Sequence, residues 1–243
     1  MAIIHSMNVK RFKSFGNLAK GYFKVLLACF HSFGCVVDVF DRYDVEQSVK
    51  SIERKRRYAG HIGRVFQIID SRPIPDWKTF LSVPENKTGL IRFLGDYALK
   101  HYTGFTLGDN DQIQLAGCFQ NPETVMTISS GSIDDVPELF STQEEADTRI
   151  ILHALFANKK ISYKNCQGRI VIKFSDTDVF LLCLHYFPQM SNIEELWFQT
   201  GSVNSMKDAR RFVPVHDITL AIGPLVCNIL PAVHMFFPPT SGF

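Results

Sequence analysis

The chain has 243 residues, 46% of them hydrophobic and 21% charged, with a formal net charge of +2. That length suits one α/β domain, and the composition sustains a buried core. The near-neutral charge excludes binding to nucleic acid by bulk electrostatics alone, while leaving a local basic face free to act. Phe is abundant at 21 residues, which points to an interior rich in aromatic packing. The six cysteines show no CxxC pair and no zinc-ligand spacing, and most lie in apolar runs, where free cysteine acts as a small hydrophobe in a reducing compartment. The early run "YFKVLLACF" is interrupted by Lys24 and falls short of a membrane span. "MAIIHSMNVKRFK" lacks the basic-then-apolar order of a secretory signal. An intracellular protein, nuclear or cytoplasmic and without a membrane partner, is the expectation.

In chain order, residues 15–31 read as a helix with Leu18, Tyr22, Val25 and Leu26 on one side, followed by a short β-rich run, "CVVDVF", at 35–40. Residues 44–58, "DVEQSVKSIERKRRY", have helical composition and a strongly basic far end. Two prolines break "SRPIPDW", and Asp76 can cap the first of two helices near 76–82 and 85–102. "IQLAGCF" and "ETVMTI" are strand candidates for a hairpin. "STQEEADTRIILHALFANKK", at 141–160, is the clearest helix: Ser141 or Thr142 caps it, acids fill its first turn and lysines close it. A strand at 169–174, a helix at 177–187, strands at 195–199 and 211–215 and a short helix from His216 complete the pattern. This alternation predicts an α/β fold with a mostly parallel central sheet flanked by helices, in a single domain over 1–243 with a helical excursion at 44–102.

In open α/β sheets functional groups gather at the carboxyl ends of strands, and three groups of acids fall there. Asp41 follows "CVVDVF", Asp176 and Asp178 follow "RIVIKF", and Glu145 and Asp147, beside Glu144, open the helix at 142–157. Carboxylates suit hard divalent cations such as Mg²⁺ or Mn²⁺, and two such ions about 3.5–4 Å apart can activate water and stabilise a leaving phosphate oxygen. Each group also has a plain structural reading. Asp176 is a normal helix cap, and Asp178 in the first turn gains from the helix dipole. Glu145 is spaced for an i,i+4 pair with Arg149, Asp41 can open a turn, and Asp38 reads as a solvated or salt-bridged strand residue.

Lys50, Arg54 and Arg57 lie at i, i+4 and i+7 and share a helix face, widened by Lys55 and Arg56. Such a stripe neutralises phosphates and gives a salt-dependent affinity for DNA or RNA; its plain alternative is a solvated helix end that favours cations. "RKRR" also fits the pattern of a nuclear import signal. His153 reads as a packed or rim residue and His216 as local capping beside Asp217.

These motifs resemble the flap-endonuclease-like branch of the PIN-domain nucleases. "DVFDRY" followed by "SVKSIERKRR" is similar to that family's "VFDG" acid and a helix whose phosphate-facing Lys and Arg are seven residues apart, as Lys50 and Arg57 are. "EEADTR" resembles the "EAEA" helix start, which carries its acids to Glu145 and Asp147, and "SDTDVFLL" resembles the "xDxDxL" strand end, carried to Asp176 and Asp178. The chain is closer still to a group of animal proteins associated with mobile elements. Those share "HEEADTRIILHA", "DTDVLVLL", "ENKTELIxFL" and a terminal "LPALHALTGCDTTS", and the likeness runs from "MAIIHSMN" to the C-terminus. The resemblance implies a metal-dependent nucleic-acid phosphodiesterase in which Asp41, Glu145, Asp147, Asp176 and Asp178 hold Mg²⁺ or Mn²⁺, and Lys50, Arg54 and Arg57 contact DNA or RNA.

Two departures qualify what the resemblance implies. The family's first strand, ending in Asp-Gly, precedes the segment that matches Met1 onward, and its late "GCD" acid has no counterpart in "LPAVHMFFPPTSGF", where the resemblance gives His234 no role. Relative to the family the chain therefore reads as truncated at both ends, lacking its first strand and two acids. Fewer acids weaken metal affinity and water activation, and a missing central strand leaves two pairing edges. An inactive form, or a non-catalytic nucleic-acid-binding or interaction protein derived from a mobile element, is the alternative. A haloacid-dehalogenase-type phosphotransferase fits less well, because its DxD nucleophile comes near the N-terminus and the only adjacent lysine and acid after Asp178 are Lys207 and Asp208.

Overall fold

A computed structural model of the chain describes residues 2–42, 63–162, 167–174, 176–201 and 211–236. Two compact units divide it, one of Ile3–Ala146 and one running from Asp147 onward. Each contains its own sheet and its own apolar core.

The first unit opens with α1 (Ala2–Ser6) and α2 (Phe15–Ala28). Ser14 caps α2 by accepting the Asn17 N–H at 3.3 Å, and the buried Phe15, Leu18, Ala19, Tyr22, Phe23 and Leu26 recur at helical spacing. Val25, expected on that face, is 40% exposed instead. After a 3-10 turn at Cys29–His31 comes β1 (Cys35–Val39). Asp76 caps α3 (Trp77–Ser82), its carboxylate accepting the Thr79 N–H at 2.9 Å and the Thr79 hydroxyl at 2.6 Å. Pro84, which needs no N–H partner at a first helical position, starts α4 (Pro84–His101). The predicted hairpin forms from β2 (Gln112–Ala116) and β3 (Val125–Ser129), and β4 (Ser132–Asp135) extends it through a turn whose Gly131 has φ 79°. The expected helix at 44–58 lies outside the described residues, so α3 and α4 are the described part of the 44–102 excursion. Aromatic rings fill this core as the composition implied: Phe23 stacks on Tyr97 and Phe105, and Phe15 and Trp77 both pack on Phe80.

Helix α5 (Ala146–Ser162) begins on the last residue of the first unit, and the second unit runs from the rest of it through β5 (Gly168–Lys173), α6 (Thr177–Tyr186), β6 (Ile193–Thr200), β7 (Arg211–Pro214), α7 (Val215–Ile222) and α8 (Pro224–Phe236). Ile151, Val179, Cys183, Leu196, Phe198 and Val215 are central to its core. β5 and β6 run parallel across α6, the crossover that parallel neighbours require.

The α/β class holds, but the mostly parallel central sheet does not. The first unit has a sheet of order β1-β2-β3-β4 in which only β1 and β2 are parallel; the second has order β5-β6-β7 with β6 and β7 antiparallel. Connection length explains it. The spans 117–124, 130–131 and 201–210 are shorter than the dozen or more residues a parallel crossover needs. No single described helix is long and apolar enough to cross a membrane.

Candidate acidic site

Asp41 lies just past the carboxyl end of β1, and the turn it could open would run into residues outside those described. Its Oδ1 accepts the N–H of Ala146, the first residue of α5, at 3.0 Å. The first four N–H groups of a helix lack intrahelical partners, and a carboxylate there also meets the positive end of the dipole. Asp41 therefore caps α5 from 105 residues away. Its neighbour Arg42 holds the preceding strap: the backbone N–H donates to the Glu144 carbonyl at 2.9 Å, and the guanidinium donates to the Thr142 carbonyl at 3.1 Å and to Glu123 at 3.4 Å. Ser141 and Thr142, the expected caps, are not caps; the Ser141 hydroxyl accepts from Gln143 N–H in a local turn.

The result within the first unit is an acidic segment, Glu144–Glu145, tied to the end of a parallel strand. Glu145 is half-buried there. Asp41 and Arg42 also line a cleft with Thr88, Arg92, Gly117 and Phe119, and its interior space of about 10 Å³ holds one water-sized group.

In the second unit, Asp176 and Asp178 sit where β5 gives way to α6. The Asp176 carboxylate accepts the Asp178 N–H at 3.1 Å, so Asp176 caps α6 as its local sequence requires. Asp178, 58% exposed, takes a partner from the far end of the unit: His234 Nε2 on α8 lies 2.8 Å from its Oδ1. Asp147, half-buried, stands in the first turn of α5. Both the capping and the metal readings of Asp176 and Asp178 place their carboxylates at a strand's carboxyl end, and the structure does so. Lys50, Arg54 and Arg57 lie outside the described residues.

His234 is a residue to which the sequence reading gives no role, and the structure sets it against Asp178. Its approach is made possible by α8, itself missed because Pro231 interrupts it. A mid-helix proline cannot donate to the carbonyl four residues earlier. That carbonyl, Cys227 O, is met at 3.4 Å by His185 Nδ1 on α6, so the proline's cost is partly offset and α8 is tied to α6. His216 likewise joins elements rather than capping locally: its Nδ1 lies 3.0 Å from the Leu196 carbonyl of β6, and its ring meets Trp197 edge-on.

Burial sets the chemistry of three further groups. Asp38 is buried, not solvated, and accepts the Tyr22 hydroxyl at 2.5 Å; burial first, and the Asp38 charge second, push the Tyr22 phenol well above its ordinary range. His153 is packed rather than on the rim, and loss of solvent, reinforced by Arg149, pushes its imidazole down to about 4. Cys183, raised to about 12 by burial, is an inert thiol in the core.

Carboxylate oxygens suit Mg²⁺ or Mn²⁺, yet among the described residues no three His, Cys, Asp or Glu side chains form a group that could hold a metal ion. No protein-family model matches the chain, and no curated protein or solved structure matches it.

Proposed function

We propose that this chain carries a PIN-like, divalent-metal-dependent nucleic-acid phosphodiesterase fold. The observation that carries the reading is the placement of Asp41 and of Asp176 with Asp178. In each unit the acids directly follow a strand that has a parallel partner, and each meets the N-terminus of a helix. The acids proposed to engage Mg²⁺ or Mn²⁺ are Asp41 and Glu145 in the first unit and Asp147, Asp176 and Asp178 in the second. Lys50, Arg54 and Arg57 are the proposed contacts to DNA or RNA phosphates. Bound metal would supply an activated water and charge neutralisation at phosphate. The chain's own residues fix the carboxylates: Ala146 N–H holds Asp41, the α6 N-terminus holds Asp176, and His234 holds Asp178.

One observation favours a second reading, nucleic-acid binding without chemistry. Asp41, Asp176 and Asp178 each already commit an oxygen to a protein donor or ring, and the described acids do not gather in threes. The discriminating experiment is cleavage of flap, hairpin and single-stranded substrates with Mn²⁺, comparing wild type with the double variant Asp176→Ala, Asp178→Ala. The phosphodiesterase reading expects metal-dependent cleavage that the double variant loses by at least about 100-fold, the scale on which removing essential charge stabilisation acts. Equal cleavage by both proteins removes these acids from the reading. Binding without cleavage, surviving EDTA, selects the second reading.

A further inference from the structure

Helix α8 is apolar on both sides. Cys227 is fully buried and Leu230 packs on the core of the second unit, while the opposite side carries Leu225, Val226, Ile229, Val233 and Phe236. At a helical pitch these form one stripe, at i, i+1, i+4, i+8 and i+11. Their exposures are 75%, 40%, 50%, 46% and 73%, and Leu220 on α7 adds a sixth side chain at 81%. A helix that is hydrophobic all round is normally buried all round. Here, among the described residues, one side is seated and the other is exposed.

We infer that this stripe is a self-association surface and that its occupant is the same stripe of a second copy of this chain. Area is the first argument. Six large side chains at those exposures leave roughly 600 Å² of apolar surface per copy, near the ~800 Å² per partner of a standard interface and at the upper end of what a monomer leaves bare. Charge is the second. From Val215 to Phe236 the sequence holds one acid, Asp217, and no Lys or Arg, so two stripes meet without like-charge repulsion or a stranded ion. Spacing is the third: Leu225, Ile229 and Val233 form a row that an antiparallel copy can interleave about a two-fold axis at Ile229. A lipid surface fits less well, because interfacial helices use Lys and Arg to engage headgroups and this segment has none; α7 and α8 also meet at a 102° bend.

Sedimentation velocity of the full chain, from about 1 to 100 µM, tests the inference alongside Ile229→Glu and Leu225→Glu. Both substitutions fall on exposed side chains, and far-ultraviolet circular dichroism checks that they fold. The expected result is a species of twice the 27.6 kDa chain mass for wild type, with either variant weakening association by at least about 30-fold. A wild type that stays monomeric at 100 µM overturns it, as do oligomers that grow without limit or a dimer that both variants keep. Co-sedimentation of a monomer with neutral phosphatidylcholine vesicles overturns it in favour of a lipid surface. The metal-dependence experiment above is independent of each of these outcomes.

Discussion

Burying His153 makes stability depend on pH in a calculable direction. The imidazole titrates at about 4 in the folded chain, against an ordinary value of 6.5, so the unfolded chain binds the proton more readily. Stability from this group is complete above about 6.5 and declines as pH falls through the window between the two values; below about 4 the loss is complete. Each tenfold difference in proton affinity between the folded and unfolded chain is worth about 1.4 kcal/mol, so the loss reaches about 2 kcal/mol by pH 5 and about 3 kcal/mol in full. Carboxylates titrate in the same range, so the comparison that isolates His153 is wild type against His153→Gln in urea unfolding at pH 7.5 and pH 5. The gap between the two proteins should shrink, or change sign, by about 2 kcal/mol on acidification. A gap that does not change with pH would show that the imidazole is not buried in its neutral form. Tyr22 and Asp38 are a buried polar pair of a different kind: the phenol donates to the carboxylate at 2.5 Å, and while helical spacing places Tyr22 on the packed face, Asp38 resembles any strand polar residue in its local sequence.

Helix α4 shows how one backbone contact fixes an element. A Cβ at Gly95 would run into the carbonyl oxygen of Cys118, just past β2, and then into the Phe119 ring. The obstacle is backbone, so α4 would have to lift from the sheet. Gly95→Ala should cost about 3 kcal/mol despite alanine's better helix propensity, while Gly104→Ala, where a Cβ meets nothing, should stay within about 0.5 kcal/mol. Urea midpoints of the two variants measure both, and a neutral Gly95→Ala would mean that α4 does not pack this closely. The sequence made elements legible where their signals are local. Asp76 before α3, Asp176 before α6 and the Ser14 cap of α2 all act within three residues. It misled where the deciding partner is distant. α5 starts at Ala146, not near Thr142, because its cap is Asp41. α8 was hidden by Pro231, whose released carbonyl is met by His185. β4, "SIDD", is absent from the strand candidates because it is mostly exposed and offers one apolar residue. The same division applies to the site: the acids at strand ends could be found by pattern, whereas the His234 contact with Asp178 spans 56 positions and has no local signal.

At the scale of the whole chain, charge decides how nucleic acid would be held. A net charge of +2 supplies almost no long-range attraction, so any affinity must come from a few clustered cations. Three side chains, Lys50, Arg54 and Arg57, are spaced at i, i+4 and i+7 in a sequence of helical composition and are the proposed contacts; each phosphate that a cation neutralises releases counterions. Three contacts predict that the logarithm of the association constant falls against the logarithm of salt concentration with a slope of about −2 on single strands and about −2.7 on duplex DNA. Fluorescence anisotropy with labelled oligonucleotides between about 50 and 200 mM KCl measures that slope; replacing all three residues with alanine should flatten it towards zero and weaken binding on every sequence alike. A slope that the triple variant leaves unchanged would place the phosphate contacts elsewhere. Repeating the titration in EDTA separates the two functional readings at the same scale. If the acids recruit phosphate through a metal ion, chelation reduces affinity beyond what the basic stripe accounts for; if the stripe acts alone, the affinity and its salt slope are unaltered.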